Sequence, residues 1–228
     1  MFGLRNYELL VSSLRKQGFN FSTDWSVEAN SRTVLMRHDV DFSVDDALLM
    51  AKFETALNLK STYFFMLSSN IYNLLSKRNR DSVIQIKEMG HKVSLHFDPT
   101  AYDSLELFLE ELEVFEKIFQ TDIDIVSIHR PGRFLENNNI DLFGTKHTYQ
   151  NRYFKDFKYI SDSGGKDVSL SVLEFLNSST EKVLHLLIHP VWWVRRLSTP
   201  TLTLNQWRNH HLDIITDEIR KNCKTYEG

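Results

Sequence analysis

Side chains that could bind a metal ion or transfer a proton follow four short apolar runs of the sequence. A single buried histidine is usually a core residue with a hydrogen-bond partner, so none of these groups is decisive alone. Their shared position after apolar runs indicates that they meet at one site. The four groups are Arg37-His38-Asp39-Val40-Asp41, Leu95-His96-Phe97-Asp98, Ile128-His129-Arg130-Pro131-Gly132 and Leu187-Ile188-His189-Pro190.

The first group contains two carboxylates. Asp39 and Asp41 are two residues apart, so on an extended strand both side chains point to one face, while His38 and Val40 point to the other. One carboxylate could cap the next helix while the other is solvated. Alternatively, a metal ion could relieve their repulsion, with one carboxylate as its ligand and the other beside its bound water as a base. Ser43 would then cap the helix.

Histidines at two other runs also favour a metal or a proton-transfer role. His96 ends a run that is otherwise apolar, where an unpaired imidazole would be costly to bury. His189 has the same setting after the last run, and Trp192 and Trp193 follow it. Those indoles could stack on sugar rings or pack in the core, and the sequence leaves both open. We expect the histidines without such a setting to be structural or on the surface: His91, His147, His185, His210 and His211.

Apolar runs separated by helical patterns predict the elements that position these groups. The alternation predicts parallel strands, in an α/β barrel or a doubly wound sheet, and in both folds functional groups collect at the C-terminal ends of the strands. Asp103 is the expected cap of the clearest helix, which ends at Phe119. The predicted helices are 1–18, 43–58, 81–89, 103–119 and 204–221. The predicted strands are Val34 to Asp41, Ser61 to Leu67, Lys92 to Phe97, Ile125 to His129, Tyr159 to Ser161 and Val183 to His189.

Composition excludes several classes of protein. With 228 residues, 42% of them hydrophobic, and no low-complexity stretch, residues 1–228 are expected to form a single catalytic domain. A net charge of -3 provides no basic surplus for binding nucleic acid or an acidic bilayer. Cys223 is the single cysteine, which excludes a disulfide framework, and no run of about 18 apolar residues could span a membrane. A cytoplasmic protein is expected.

In motif order, most of the chain resembles the polysaccharide deacetylase superfamily, carbohydrate esterase family four, and especially its divergent bacterial members associated with surface-polysaccharide (O-antigen or capsule) biosynthesis. The matching segments are Arg37 to Asp41, Ser61 to Phe65, Gly90 to His96, Arg130 to Gly132 and Leu187 to His189. Each segment is short, and their common order is what makes the resemblance specific. It implies an α/β fold, a distorted (β/α) barrel of about seven parallel strands. It also implies removal of an N-acetyl group from an amino sugar or glycan.

The metal site implied by the resemblance departs from the family pattern. The family commonly has a second metal histidine four residues after the first, where this chain has Thr100. His129, just before the arginine motif, could supply the missing imidazole, and Asp98 is the local alternative. We expect Asp41, His96 and His129 to hold a divalent ion, with zinc as the expected metal.

The resemblance also implies which residues transfer protons. Asp39 corresponds to the general base, and Arg130 is the expected charge partner that keeps it ionised. His189 corresponds to the general acid that protonates the departing amine, and Asp162 to the acidic residue that orients it, although no tryptophan follows Asp162 nearby. The expected partner is an N-acetylated sugar or glycan, with no nucleic acid and no integral membrane segment.

Two other functions stay open. An Asp-x-Asp pair can hold a nucleotide diphosphate through magnesium or manganese in a glycosyltransferase, which would leave His96, His129 and His189 without a role. The residue at Thr100 also fits a catalytically silent carbohydrate-binding relative. Zinc content, nucleotide-sugar affinity, and glycan binding without turnover would separate the three hypotheses.

Overall fold

Strands and helices alternate along the part of the chain that the structure, a computed structural model, describes: residues 2–137, 141–178, 180–195, 197 and 199–227. Within these residues the strands are β1 (Asn20–Ser22), β2 (Thr33–Val40), β3 (Thr62–Phe65), β4 (Lys92–Phe97), β5 (Ile125–Ile128), β6 (Lys146–His147), β7 (Lys158–Ser161) and β8 (Val183–Ile188). The α-helices are α1 (Leu4–Lys16), α2 (Val44–Ala56), α3 (Lys77–Glu88), α4 (Leu107–Phe119), α5 (Gly132–Asn137), α6 (Ser169–Ser178), α7 (Pro190–Arg195) and α8 (Pro200–Asn222). A 3₁₀ turn at Pro99–Ala101 and a π-helical turn at Arg152–Asp156 complete the set.

The strands form one curled parallel sheet in the order β6-β5-β4-β3-β2-β8-β7, and β1 pairs with β2 beside this path. Among the described residues no ladder joins β6 to β7, so the sheet is an open half-barrel. The predicted α/β fold with about seven parallel strands is confirmed. This order makes β2 the neighbour of both β3 and β8, and β4 the neighbour of β5. The C-terminal ends of these strands therefore lie along one edge of the sheet.

Strand β2 lies at the centre of the sheet, and every one of its residues from Thr33 to Val40 is buried. Burial on both faces is what parallel sheets require when helices cover them. Helix α1 covers part of one face with Tyr7, Leu10, Val11 and Leu14. Buried hydrophobic clusters therefore lie on both faces of the strand that carries Asp39: one contains Val34, Met36 and Val40, and the other contains Leu35.

Two predicted helix starts have different outcomes. Ser43 caps α2 as predicted, because its side chain accepts a hydrogen bond from the backbone N–H of Asp46. The Asp103 cap is wrong: α4 begins at Leu107, and Glu106 at its N-cap makes no side-chain capping bond. Helix α4 forms without a cap because Phe108, Phe115 and Phe119 are buried against the sheet.

None of the helices in the described residues combines the length and the apolar character that crossing a bilayer needs.

Candidate metal and proton-transfer site

The side chains of the candidate site come from the C-terminal ends of four strands. Asp39 is the penultimate residue of β2, and Asp41 follows that strand. His96 is the penultimate residue of β4, while His129 and His189 directly follow β5 and β8. Residues as far apart in sequence as Asp39 and His189 meet because parallel neighbours end at the same edge of the sheet.

Asp41, His96 and His129 face one another at this edge. His96 Nε2 lies 3.2 Å from Asp41 Oδ1 and 3.2 Å from His129 Nδ1, and His129 Nδ1 lies 3.7 Å from Asp41 Oδ1. In the described residues this is the one group of histidine, cysteine and acidic side chains whose ligand atoms all lie within 4.8 Å of one another. Asp98 is not a member of this group. Its Oδ1 accepts hydrogen bonds from the Thr100 backbone N–H (2.9 Å) and hydroxyl (2.6 Å).

The protonation states of this group fit a cation. Asp41 Oδ1 is buried and has no donor with hydrogen-bond geometry among the described residues. Burial raises the pKa of Asp41, but the neighbouring His96 and the charge of His189 hold that pKa below its usual value. Burial and the neighbouring His96 lower the pKa of His129. A carboxylate and a neutral imidazole are the forms that bind metal ions, and one carboxylate with two imidazoles is a ligand set that zinc accepts.

Ser127 was not predicted from the sequence, yet it orients His96. The two residues are paired across β4 and β5, and Ser127 Oγ lies 2.5 Å from His96 Nδ1. Donation from Nδ1–H to this hydroxyl leaves Nε2 as the bare nitrogen that faces Asp41 and His129. In the sequence, the signal for this residue was a serine between apolar residues of a predicted strand.

Asp39 forms a buried ion pair with Arg37. The guanidinium donates twice, from Nε to Oδ1 at 2.8 Å and from Nη2 to Oδ2 at 2.6 Å. Arg37 is 0% exposed and lies over the ring of Tyr149, 4.7 Å from its centroid. Burial raises the pKa of Asp39, but the charge of Arg37, with a smaller effect from His96, holds that pKa well below its usual range. Asp39 is therefore ionised, 3.7 Å from His96 Nε2.

The expected pairing of Asp39 with Arg130 is wrong, because Arg37 occupies both carboxylate oxygens. Arg130 is instead exposed, with a left-handed backbone (φ 48°), and lines the cavity beside the site. The physical reason is the strand period: Arg37 and Asp39 are two residues apart on β2, so they share a face. Arg37 and Asp39 have the same two-residue spacing as Asp39 and Asp41, so the sequence contained the signal for this pair.

His189 is held by Asp162, which lies after β7. His189 Nδ1 lies 2.6 Å from Asp162 Oδ1, and Asp162 is completely buried. Burial lowers the pKa of His189, but the charge and hydrogen bond of Asp162 raise it to about 9. The other ring nitrogen, Nε2, lies 3.6 Å from Asp41 Oδ2. His189 therefore presents a protonated nitrogen to Asp41.

The two tryptophans after β8 have different roles. Trp193 is 0% exposed and packs edge-on against Phe2 and Tyr7 in the core, so its ring is not a sugar-stacking face. Its indole Nε1 donates to Asp162 Oδ2 at 2.8 Å. Trp192 lines the cavity.

An open cavity of about 590 Å³ lies over the site. Asp41, His129 and His189 form part of its floor, and Arg130 and Trp192 line it as well. A volume in the range of about 300–1,000 Å³ suits one small ligand with a few convergent polar groups. Asp41, His129 and the protonated His189 are accessible from this cavity.

No protein-family model matches this chain, and neither does any curated protein. Among solved structures it is similar to the chitin deacetylase from the fungal pathogen Colletotrichum lindemuthianum (13% identity, 79% of this chain and 83% of that chain covered, TM-score 0.44). It is also similar to the peptidoglycan deacetylase PdaC from Bacillus subtilis (14%, 86% and 99%, TM-score 0.45). A third is the catalytic domain of the peptidoglycan N-acetylglucosamine deacetylase from Eubacterium rectale (17%, 82% and 87%, TM-score 0.47). At these identities and TM-scores, function has to be inferred from the site itself.

Proposed function

We propose that this protein is a metal-dependent hydrolase that removes an N-acetyl group from an amino sugar or glycan, in surface-polysaccharide (O-antigen or capsule) biosynthesis. One observation supports this above all others. An ionised Asp39 lies 3.7 Å from His96, and a protonated His189 lies 3.6 Å from Asp41, so both adjoin the possible ligand group of Asp41, His96 and His129. A base and an acid on either side of a metal position are what amide hydrolysis needs.

Asp41, His96 and His129 would hold the ion, and zinc is the metal we propose. When bound, the ion supplies Lewis-acid chemistry and lowers the pKa of water at the site. Ser127 keeps the Nε2 lone pair of His96 directed at the ion position through the 2.5 Å contact with Nδ1.

Asp39 acts as the general base in this proposal. Arg37 keeps the carboxylate ionised and fixes its orientation through two hydrogen bonds. Asp39 then accepts a proton from the attacking water, while the water oxygen forms a bond to the acetyl carbonyl carbon.

His189 acts as the general acid. As the C–N bond of the tetrahedral intermediate breaks, the Nε2 proton of His189 passes to the departing nitrogen. An amide anion is a very poor leaving group, so this proton is required. Asp162 keeps the imidazolium charged and turned toward the cavity through the 2.6 Å bond to Nδ1.

The glycosyltransferase hypothesis is less compatible with the ion pair in β2. Arg37 already places a buried positive charge 2.6 Å from Asp39, which disfavours a second cation shared by Asp39 and Asp41. That hypothesis also leaves the protonated His189 unused.

The test measures acetate release and zinc content together. The zinc-loaded protein is incubated with N-acetylglucosamine oligomers and with a nucleotide-linked N-acetyl amino sugar. We expect acetate release by the parent, and a loss of about 10²- to 10⁴-fold in Asp39→Asn at unchanged zinc content. Asp122→Asn, an exposed acid-to-amide change before β5, is the matched control and keeps the parental rate. Glycan binding without acetate release would identify a silent relative, and a protein that binds no divalent ion would exclude the proposal.

A further inference from the structure

A second cluster of polar side chains lies on the face of β2 that points away from Asp39 and Asp41. His38 and Glu54 are both 0% exposed there. His38 Nε2 lies 2.8 Å from Glu54 Oε1, and His38 Nδ1 lies 3.1 Å from the backbone carbonyl oxygen of Ile188. The proposed hydrolysis uses none of these side chains directly.

Glu54 accepts hydrogen bonds from several donors at once. The hydroxyl of Tyr63 donates to Oε2 at 2.7 Å, that of Ser61 donates to Oε1 at 2.9 Å, and that of Tyr7 also donates to Oε1. Burial and the charge of Glu54 raise the pKa of both tyrosines well above the usual value, so both remain phenols that can donate. Burial raises the pKa of Glu54, but the neighbouring His38 and His91 and the hydrogen bond from Tyr7 hold that pKa below its usual value. Glu54 is therefore a carboxylate that only accepts.

His38 has acceptors on both sides of its ring. The carbonyl oxygen of Ile188 cannot donate, and neither can the Glu54 carboxylate. Each of the two short contacts therefore needs a hydrogen on the ring nitrogen. A ring with both nitrogens protonated is an imidazolium cation.

His91 touches the same cluster and serves as an internal comparison. Its Nδ1 accepts a hydrogen bond from the backbone N–H of Ser61 at 3.2 Å, so that nitrogen carries no hydrogen. Its Nε2 lies 3.1 Å from the carbonyl oxygen of Ala51, to which it donates. Hydrogen-bond partners thus assign a neutral ring to His91 and a charged ring to His38, although both rings contact Tyr63.

We propose that Glu54 and His38 form a buried ion pair that positions the two proton-transfer groups of the candidate site relative to each other. His38 immediately precedes Asp39, and Ile188 immediately precedes His189. His38 and Ile188 are also the last paired residues of the β2–β8 ladder. The bond from the imidazolium to the Ile188 carbonyl therefore joins the two strands just before the chain leaves them. Glu54 and His38 are positioning residues, and only this positioning role rests on the proposed hydrolase function.

The ion pair is tested by nitrogen NMR of protein labelled at the histidine rings, at about pH 8, where an ordinary histidine with a pKa of about 6.5 is neutral. Ring signals are assigned through bonds from the backbone. We expect hydrogen on both ring nitrogens of His38 and on only one of His91. A bare nitrogen on His38 in the parent protein would overturn the ion pair, and this measurement needs neither a variant nor a substrate.

The positioning role is tested with Glu54→Gln, whose amide keeps the size of the side chain but removes its charge. The matched control is Asp45→Asn, an acid-to-amide change on the same helix α2, in a surface pair with Arg78. In Glu54→Gln we expect one bare nitrogen on His38, shifted ring signals of His189, and a kcat lower by about tenfold or more with little change in KM. Unchanged His189 signals in folded Glu54→Gln, or equal shifts in the control, would overturn the positioning role. The NMR signals of His38 and His189 are measured without substrate turnover. A failure of the positioning role can therefore be distinguished from a failure of the hydrolase proposal.

Discussion

Asp162 holds both the ring and the backbone of His189: its Oδ1 lies 2.6 Å from Nδ1, and the His189 backbone N–H lies 3.1 and 3.0 Å from its two oxygens. The carboxylate is completely buried and also accepts the Trp193 indole N–H. One side chain therefore sets the orientation and the charge of the proposed general acid.

The first prediction concerns the stability of the fold between neutral and alkaline pH. Asp162 raises the pKa of folded His189 to about 9, above an unfolded value of about 6.5. Protonated His189 therefore stabilises the fold fully below pH 6.5 or so, and this contribution is lost as pH rises through about 9. In Asp162→Asn the stabilising charge is gone, so the free energy of unfolding should depend less on pH in this window. Urea unfolding of both proteins at several pH values measures the difference, and equal slopes would contradict it.

The second prediction compares two arginines. Arg37→Met leaves the buried Asp39 carboxylate without a partner, and we expect a loss of about 3–5 kcal/mol in the free energy of unfolding. Arg130→Met is the matched control, because Arg130 is exposed and should change stability by less than about 0.5 kcal/mol. Denaturant unfolding of the metal-free proteins gives both values. A larger loss of unfolding free energy in Arg130→Met than in Arg37→Met would indicate that Arg130 is the charge partner of Asp39.

The third prediction separates acid catalysis from a structural role of His189. His189→Ala should retain the metal but lower the hydrolysis of N-acetyl amides by about 10²- to 10⁴-fold. Activated aryl acetates have leaving groups that need no proton, so their hydrolysis should fall much less. Rates on both substrates with the same variant provide the measurement. If the rates of amide and aryl acetate hydrolysis fall equally, His189 has a structural or substrate-binding role instead.

The fourth prediction concerns the third metal ligand. His129→Ala should weaken zinc binding by about 100-fold or more, a larger effect than the loss of an outer hydrogen-bond partner. Asp98→Ala and Thr100→Ala are the comparison variants, because these residues hydrogen-bond each other rather than face Asp41. Zinc stoichiometry and affinity are measured for all three. If His129→Ala binds zinc with the parental affinity and Asp98→Ala binds zinc more weakly, then Asp98 is the third ligand.

Local patterns in the sequence were sufficient for most of the elements that carry the site. Lys92–Phe97 is the predicted strand residue for residue, and the end of β2 lies one residue before the predicted end at Asp41. These strands were visible because a buried parallel strand is a continuous apolar run between helical patterns. Strands of two or three residues, such as Asn20–Ser22 and Lys146–His147, are too short to show a period, and both were missed.

The sequence by itself determined the α/β class, the strands that end in polar groups, and the residue types available for metal binding and proton transfer. Only the tertiary structure decided the distant partners: Trp193 for Asp162, and Ile188 for His38. Periodicity reports which face of an element is buried, but it carries no information about which distant side chain meets that face. Those choices follow from strand order, which places β8 between β2 and β7. They also follow from the requirement that every charge buried at these strand ends find a partner.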